Sequence, residues 1–501
     1  MGGKVYLVGA GPGDSELITI KGKRCLEMAD VVIYDYLANP ELLKYAPEAE
    51  KIYVGKKSAN HTLDQEKINE LLIQKAKENK VIVRLKGGDP FIFGRGGEEA
   101  LALRKHGIEF EIVPGVTSGF AAPLYAGIPV TMRGINSTIA FATGHETDDK
   151  EFSFIDWSAL SKMGTIIFYM GVKNMPYIVE NLLRSGKGKD TPVALIRWAT
   201  YPNQEVLTGN LGNILQKMRE TNFKAPAIIV IGDVVSLRDE LMWFEKRPLF
   251  GKTILVTRTK EQAGKLSTRL KDLGANVIEI PTIEIVPPEC WDDVDKSINQ
   301  INKYDFIIFT STNGVKYFFG RLRELKKDIR ILNGIRICAI GSATKGAIEE
   351  LGLLVDVVPD EFVAESVIEK LKQYGIKGKR FLLPRAKVAR DVIPESIREL
   401  DGYIDVVTVY QTVKPDSSLK SLKEVFEKDM IDIITFTSSS TVKNFFDLAG
   451  NAKISSRVRF ASIGPVTSDT LRSYGVEPSC EAKIYNIDGL VNAILDMTKK
   501  D

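Results

Sequence analysis

The second half of this chain repeats its own sequence at an offset of about 127 residues, and the repeat limits the folds that this half can adopt. The segment 305–319 (DFIIFTSTNGVKYFF) is echoed by 432–446 (DIITFTSSSTVKNFF). Two shorter pairs accompany it: 254–258 with 381–385, and 336–341 with 459–464. Because the longest copies each have the pattern of a buried strand, a turn and an amphipathic helix, the sequence predicts two similar lobes.

Strand-like runs alternate with amphipathic helical stretches along the whole chain, a pattern typical of α/β proteins with largely parallel sheets. Examples of the strand-like runs are 5–8, 31–34, 165–169 and 228–231. A chain of 501 residues exceeds what one core usually supports, so we expect two or three domains. A charged segment that contains proline, 237–250, precedes a new strand-like run. We therefore place a boundary near 246–250, which gives domains 1–246 and 250–501.

Composition argues against several classes of function. The chain is 44% hydrophobic and 27% charged, and its net charge of +3 is too near zero to require a nucleic-acid partner. The four cysteines are scattered without a Cys-x-x-Cys pair, and Met-Gly-Gly-Lys leads directly into a strand, so we expect a cytoplasmic protein. The three histidines form no cluster with ligand spacing, and no apolar run approaches the roughly 20 residues of a membrane span. We therefore expect neither a metal nor a membrane role.

The densest glycine segment, 87–99 (GGDPFIFGRGGEE), follows the strand-like run 81–85 after one residue. Glycine lets the backbone approach a ligand closely, and the carboxyl end of a strand is where α/β sheets bind ligands. A second glycine segment, 8–14 (VGAGPGD), follows the first strand but lacks the Gly-x-Gly-x-x-Gly spacing of the dinucleotide fingerprint. A nicotinamide oxidoreductase is therefore the weaker alternative, and it predicts that NADH binds.

In each predicted lobe a strand ends in Thr-Ser immediately before a helix, at 310–311 and at 437–438. Hydroxyl groups and the free amides of a helix N-terminus together suit an anion. The alternative is that these side chains only cap their helices. Two copies that could face each other across a cleft favour binding.

Seven motifs of the first half occur in the order of one known family. They are 8–14 (VGAGPGD), 29–35 (ADVVIYD), 54–56 (VGK), 87–99 (GGDPFIFGRGGEE), 114–118 (PGVTS), 126–131 (AGIPVT) and 168–171 (FYMG). Together they resemble uroporphyrinogen-III C-methyltransferase, of the tetrapyrrole methylase class, from about residue 3 to about residue 245. The resemblance implies a class III methyltransferase fold of two α/β subdomains. It also implies methylation of uroporphyrinogen III at C2 and C7 by two S-adenosylmethionine molecules, which gives precorrin-2 without a metal.

By the same resemblance, nine positions match those that hold the methyl donor: Pro12, Gly87, Gly88, Asp89, Ile92, Thr117, Ser118, Met170 and Ala199. Asp35 matches the family's proposed proton acceptor and Lys56 its proposed donor, with Lys57, one residue further along, as the alternative. Without the family, Asp35 would be interpreted as a helix cap and Lys56 as a surface charge. The candidates for binding the substrate's carboxylates are Lys21, Arg95 and Arg133.

Region 250–501 resembles uroporphyrinogen-III synthase, a family with two flavodoxin-like lobes. The matching pieces are 256–258 (VTR), 309–314 (FTSTNG), 340–341 (IG), 409–412 (VYQT), 436–438 (FTS) and 463–467 (IGPVT). The chain order suggests one lobe of 250–286 plus 412–501 and another of 289–408. The resemblance implies closure of linear hydroxymethylbilane to uroporphyrinogen III with loss of water.

Within that resemblance, Tyr410 matches a tyrosine thought to assist departure of the hydroxyl group, with packing at a hinge as the alternative. Ser311 is the expected hydroxyl contact from the other lobe. The expected contacts to carboxylates or pyrroles are Thr437, Ser438, Ser439 and Thr467.

The order of the two reactions supports the fusion, since the product expected from the second half is the substrate expected for the first. With no dehydrogenase and ferrochelatase module, we expect the chain to stop at precorrin-2, upstream of sirohaem or cobalamin. The methyltransferase family suggests a homodimer through the first half. The alternative keeps the methyltransferase and treats the second half as a non-catalytic bilobal tetrapyrrole-binding or sensor domain.

Overall fold

The structure is a computed structural model. It describes residues 3–55, 64–78, 80–144, 154–257, 260–359, 364–389, 391–413, 415–450, 452 and 454–499. The chain forms two compact units: unit 1 comprises Met1–Thr253, Arg269–Val277 and Thr498–Asp501, and unit 2 comprises Ile254–Thr268 and Ile278–Met497. The domain limits inferred from the sequence, 1–246 and 250–501, stay predictions. Within the described part of the chain, every helix is too short or too polar to cross a membrane.

The first sheet of unit 1 is parallel throughout. Its strands and helices are β1 (Lys4–Gly9), α1 (Ile20–Glu27), β2 (Val31–Tyr34), β3 (Glu50–Tyr53), α2 (Gln65–Lys77), β4 (Val81–Lys86), α3 (Gly96–Lys105) and β5 (Glu109–Val113). The strand order is β3-β2-β4-β1-β5. Because all five strands run the same way, their carboxyl ends share one edge, where such sheets bind ligands.

Apolar side chains on both faces hold this sheet between helices. Val83 and Leu85 of β4 pack in one apolar cluster together with Leu26 of α1. Ile82 of β4 packs on the other face with residues of α2 and α3, such as Leu103. Since side chains alternate along a strand, every second residue of β4 faces α2 and α3.

The second sheet of unit 1 is mixed. Its elements are α4 (Ser118–Tyr125), β6 (Ile139–Thr143), α5 (Trp157–Ser161), β7 (Thr165–Tyr169), α6 (Met175–Arg184), β8 (Pro192–Arg197), β9 (Glu205–Asn210), α7 (Ile214–Glu220), β10 (Ala227–Ile231) and α8 (Arg238–Leu241). In the order β6-β7-β10-β8-β9, only β6 and β7 pair in parallel. The expectation of largely parallel sheets is wrong here, because short connections such as 198–204 can join only antiparallel neighbours.

Unit 2 contains two five-stranded sheets. The elements are β11 (Thr253–Val256), α9 (Lys260–Asp272), β12 (Asn276–Glu279), β13 (Glu284–Val286), α10 (Asp292–Asn299), β14 (Phe306–Phe309), α11 (Thr312–Glu324), β15 (Arg336–Ala339), α12 (Ser342–Glu349), α13 (Ala364–Lys372), β16 (Arg380–Ala386), α14 (Val392–Glu399), β17 (Tyr403–Val413), α15 (Asp416–Glu427), β18 (Ile433–Phe436), α16 (Ser439–Ala449), β19 (Arg459–Ser462), α17 (Pro465–Ser473), β20 (Cys480–Glu481) and α18 (Ile487–Thr498).

The two sheets of unit 2 have related topologies. The order β12-β11-β18-β19-β20 is the flavodoxin-like order 2-1-3-4-5. In the second sheet, β13-β17-β16-β14-β15, the four strands β17-β16-β14-β15 correspond in order to β12-β11-β18-β19 of the first sheet. The remaining strand, β13, is added antiparallel at the edge. The two copies of the sequence repeat form β14 with α11 and β18 with α16, so the prediction of two flavodoxin-like lobes is confirmed.

Candidate functional site

Two glycine turns of unit 1 meet at the carboxyl ends of β1 and β4. Gly88 N donates to Gly11 O at 2.7 Å, and Gly11 N donates to Gly88 O at 3.2 Å. A Cβ atom on Gly9 would lie 2.5 Å from Gly115 Cα and 2.7 Å from Gly88 O. Three backbone segments therefore approach more closely than any side chain allows, which forms a cradle lined by backbone.

Asp89 shapes this cradle with both carboxylate oxygens. Its Oδ1 accepts from Phe91 N at 2.8 Å and its Oδ2 accepts from Gly115 N at 3.0 Å. A Cβ on Gly88 would lie 3.5 Å from Ser118 N, where α4 begins. The structure therefore brings the predicted donor-site segments 87–89 and 117–118 together, along with Pro12 beside Gly11.

Tyr169 lies in the motif 168–171 but was not among the predicted site residues, and it joins the second sheet to this cradle. Its Oη lies 2.6 Å from Thr117 Oγ1 and accepts from Gly119 N at 2.9 Å. Burial raises the pKa of its phenol. Its ring lies 5.0 Å from that of Phe93.

The remaining donor-site candidates surround Tyr169. Ile92 and Ala199 belong to the same apolar cluster as Tyr169. Met170 follows it with a φ of 53° and is 53% exposed. A positive φ is uncommon for a side chain of this kind and concentrates at functional sites. Next to Ala199, Thr200 Oγ1 accepts from Asp14 N at 2.8 Å, which connects this segment to the first glycine turn.

Asp35 follows β2 at the same sheet edge. Its Oδ2 accepts from Arg84 Nη2 at 3.1 Å and its Oδ1 accepts from Leu37 N at 3.2 Å, while 27% of the side chain is exposed. Burial and the neighbouring Asp35 charge raise the pKa of Tyr53. Lys56 and the alternative Lys57 lie outside the described residues.

The three cationic candidates of the methyltransferase half lie on different elements. Lys21 on α1 forms an ion pair with Glu111 of β5. Arg95 precedes α3; its Nε donates to Glu98 Oε1 at 2.8 Å and its Nη2 donates to Glu98 Oε2 at 2.7 Å. Arg133 is exposed. Their roles toward the substrate stay predictions.

In unit 2, the end of β14 meets β17 through a hydroxyl pair. Ser311 Oγ lies 3.1 Å from Tyr410 Oη, and the same Oγ accepts from Gly314 N at 3.0 Å to cap α11. Tyr410 is 9% exposed and stacks on Tyr317 with a ring separation of 5.9 Å. Tyr317 in turn donates to Ile285 O on β13. Ser311 therefore caps α11 and also contacts the phenol of Tyr410, while its role toward the substrate stays a prediction.

The matching position in the other lobe is also a helix cap. Ser438 Oγ accepts from Thr441 N at 3.3 Å and Thr441 Oγ1 accepts from Ser438 N at 3.2 Å, forming a capping box for α16. Ser439 donates to Val466 O at 3.2 Å, which joins the beginnings of α16 and α17. Thr437 is half-buried and Thr467 is 4% exposed. Among the described residues, no group of three or more His, Cys, Asp or Glu side chains could hold a metal ion.

This geometry defines a two-part α/β protein: a backbone-lined site at the edge of a parallel sheet in unit 1, and a two-lobed unit 2. A family model described as tetrapyrrole (corrin/porphyrin) methylases matches residues 4–215. A model described as uroporphyrinogen-III synthase HemD matches residues 264–492.

Individual relatives agree with both family matches. The porphyrin biosynthesis protein HemD of Ruminiclostridium josui is 39% identical over 99% of this chain and 98% of its own length. The uroporphyrinogen-III C-methyltransferase of Priestia megaterium is 52% identical over 47% of this chain and 99% of its own length. A crystal structure of the Thermus thermophilus uroporphyrin-III C-methyl transferase complexed with S-adenyl homocysteine has 39% identity and a TM-score of 0.41, and covers 47% of this chain and 99% of that one.

The chain therefore belongs to the family in which a uroporphyrinogen-III C-methyltransferase domain is fused to a uroporphyrinogen-III synthase domain. This is the arrangement of a bifunctional enzyme of tetrapyrrole biosynthesis. The nicotinamide oxidoreductase and the non-catalytic second domain are not favoured.

Proposed function

We propose that unit 2 closes hydroxymethylbilane to uroporphyrinogen III, and that unit 1 then methylates this product at C2 and C7 to give precorrin-2. The observation that carries the methyltransferase part of the proposal is the close backbone approach of Gly9, Gly88 and Gly115, which a Cβ on Gly9 would prevent. Relatives that cover most of each half support the same pair of reactions.

The residues of the cradle suit S-adenosylmethionine as the methyl donor. A relative from Methanosarcina barkeri, 54% identical over 94% of its length, is described as S-adenosyl-L-methionine-dependent. When bound, this group supplies an electrophilic methyl on a sulfonium. Gly11 and Gly88 pair through their backbones without side chains, and Ile92 and Ala199 belong to an apolar cluster that suits the apolar parts of such a donor. The protein's main task is then to hold the nucleophilic ring carbon in line with the methyl group.

Asp35 is the proposed proton acceptor in this reaction. Transfer of a methyl cation to a substituted pyrrole carbon leaves the ring positively charged until a proton departs from its nitrogen or from an adjacent bridging carbon, and a carboxylate that is partly exposed at the sheet edge can accept that proton. Arg84 and the amide of Leu37 fix the orientation of this carboxylate.

In unit 2, the hydroxyl pair of Tyr410 and Ser311 is the proposed centre of ring closure. A phenol held at 3.1 Å from a capping serine can donate a hydrogen bond to the departing hydroxyl group of the substrate. The N-termini of α11 and α16 carry partial positive charge, which suits the substrate's carboxylates.

Two pairs of variants test the proposal on the full chain. Asp35→Asn is expected to lower kcat for methylation by about 10²–10⁴-fold, whereas Asp64→Asn, an exposed residue before α2 without a capping bond, leaves it unchanged. Tyr410→Phe is expected to lower the yield of uroporphyrinogen III, whereas Tyr403→Phe, 60% exposed on the same strand, does not. Equal activity within both pairs would contradict the assigned roles, and a wild type that binds tetrapyrrole without closing it would favour the sensor alternative.

The expectations of a homodimer and of a cytoplasmic location also belong to this proposal. The homodimer follows from the resemblance of the first half to the methyltransferase family. Light scattering of the purified chain should give twice the monomer mass, and a monomer would refute the homodimer.

A further inference from the structure

A cluster of charged side chains is buried beneath Asp35, on the face of β4 that packs against α2 and α3. Arg84 is 3% exposed, Lys86 is 5% exposed and Glu99 of α3 is fully buried. Because side chains alternate along a strand, Arg84 and Lys86 share a face with the apolar Ile82. Charged groups in such a position are costly unless they are paired, so their partners indicate their role.

Glu99 gathers the cations of the cluster. Its Oε1 accepts from Lys86 Nζ at 2.8 Å, from Arg84 Nε at 3.2 Å and from Gln65 Nε2 at 3.2 Å. Its Oε2 is buried without a hydrogen-bond partner among the described residues. The burial of Lys86 and the nearby charge of Arg84 lower the pKa of the lysine. All hydrogen bonds to this carboxylate therefore go to Oε1, the oxygen that holds Arg84.

Arg84 is fixed at every nitrogen. Besides the Nε bond to Glu99, its Nη1 donates to Leu85 O at 3.1 Å and to Ile33 O at 3.4 Å, and its Nη2 donates to Asp35 Oδ2 at 3.1 Å. A planar guanidinium held in this way presents one donor in one direction. That direction is the carboxylate of Asp35.

We infer that Arg84 is a positioning residue for Asp35 and that Glu99 sets the position of Arg84; the inference rests on the proposed role of Asp35 as proton acceptor. Lys86 is followed directly by the glycine turn at Gly87, and Glu99 lies in the first turn of α3, which follows that turn. The cluster therefore fixes the base and the donor cradle to the same strand and helix, so the two keep one geometry.

The test compares Arg84→Lys and Glu99→Gln with a matched control, Glu50→Gln, which removes a carboxylate paired with Lys75 at the exposed end of β3. Each full-length variant is supplied with uroporphyrinogen III and S-adenosylmethionine, and its affinity for S-adenosylhomocysteine is measured by calorimetry. Lysine keeps the charge of Arg84 but lacks the planar set of guanidinium donors, so kcat should fall by about 10–100-fold. The KM values for both substrates and the affinity for S-adenosylhomocysteine should stay within about threefold of the wild type. Glu99→Gln should lower kcat in the same direction, and Glu50→Gln should match the wild type.

A double variant separates positioning from a structural role. If Arg84 acts through Asp35, adding Arg84→Lys to Asp35→Asn should lower kcat by less than about twofold further, since the group it positions is already gone. Multiplicative losses in the double variant, or kcat values for Arg84→Lys and Glu99→Gln equal to the control, would overturn the inference. Loss of S-adenosylhomocysteine binding in both single variants would overturn it in favour of a structural cluster. A wild type that does not methylate would refute the proposed function itself, which is a distinct outcome.

Discussion

Two adjacent glycines at the beginning of α3 should respond in opposite ways to the same substitution. A Cβ on Gly96 would lie 2.4 Å from Pro90 O, whereas a Cβ on Gly97 would meet no atom within 4 Å. Neither residue has a positive φ, so alanine is compatible with the backbone at both positions. The difference between the two variants therefore isolates the close approach of the glycine loop to the helix.

The magnitudes follow from these distances. Gly96→Ala requires the Pro90 carbonyl to move by about 1 Å to reach ordinary contact, and the hydrogen bond from Gly96 N to Pro90 O, 2.9 Å long, must lengthen with it. Overpacking of this kind costs about 1–3 kcal/mol. At about 2–4 °C per kcal/mol for a unit of this size, the melting temperature of unit 1 should fall by about 2–12 °C. Gly97→Ala should raise stability by up to about 1 kcal/mol through helix propensity.

Calorimetric melting of both full-length variants, with and without S-adenosylhomocysteine, measures the effect. Because the displaced loop carries Gly87 and Gly88, Gly96→Ala should also bind S-adenosylhomocysteine more weakly, while Gly97→Ala binds it like the wild type. Gly96→Ala melting at or above the temperature of Gly97→Ala would refute the close-approach argument.

Three further predictions concern single side chains in the two units. At pH 8 an alkylating reagent should modify the exposed Cys290 well before Cys338, because burial raises the pKa of Cys338 to about 12; equal rates by mass spectrometry would contradict this. Burial, with the nearby Glu41 charge, raises the pKa of Tyr201 to about 12, compared with about 10 in the unfolded chain. The protonated phenol therefore stabilises the fold below pH 10, and this contribution is lost as the pH rises toward 12. Urea unfolding at pH 9 and 11 should show a smaller loss in Tyr201→Phe than in the wild type, and an identical loss would refute the assignment. Ser438→Ala removes the capping box of α16 and should lower the free energy of unfolding of unit 2 by about 0.5–2 kcal/mol, seen as a lower urea midpoint; an unchanged midpoint would show that the cap is not stabilising.

Local signals in the sequence predicted most of the fold of unit 2. The repeat at 305–319 and 432–446 predicted two similar lobes because a strand, its turn and its helix are adjacent in the chain. The pairing of β13 with the end of β17 was not predictable in this way, since Ile285 and Thr412 are separated in the chain by the whole of the predicted middle lobe, 289–408. As a result, β13 lies in the sheet of the middle lobe, although the sequence interpretation assigned its residues to the other.

The donor cradle was partly predictable and its supporting side chains were not. Dense glycine after a strand indicated the segment 87–99, because few other structures need that backbone freedom. Tyr169 ends an apolar strand and has the pattern of a core residue, so only the structure shows its hydroxyl group at Thr117. Arg84 and Lys86 alternate on an otherwise apolar strand, and this alternation is a sequence signal that could have indicated the buried cluster.

The most direct test of the account supplies the purified full chain with freshly generated hydroxymethylbilane, with and without S-adenosylmethionine, and identifies the oxidised products by chromatography and mass. We predict type III uroporphyrin without the methyl donor and a dimethylated product with it. Type I uroporphyrin alone, the product of spontaneous closure, would contradict the synthase assignment of unit 2. Type III uroporphyrin that stays unmethylated in the presence of the donor would contradict the methyltransferase assignment of unit 1.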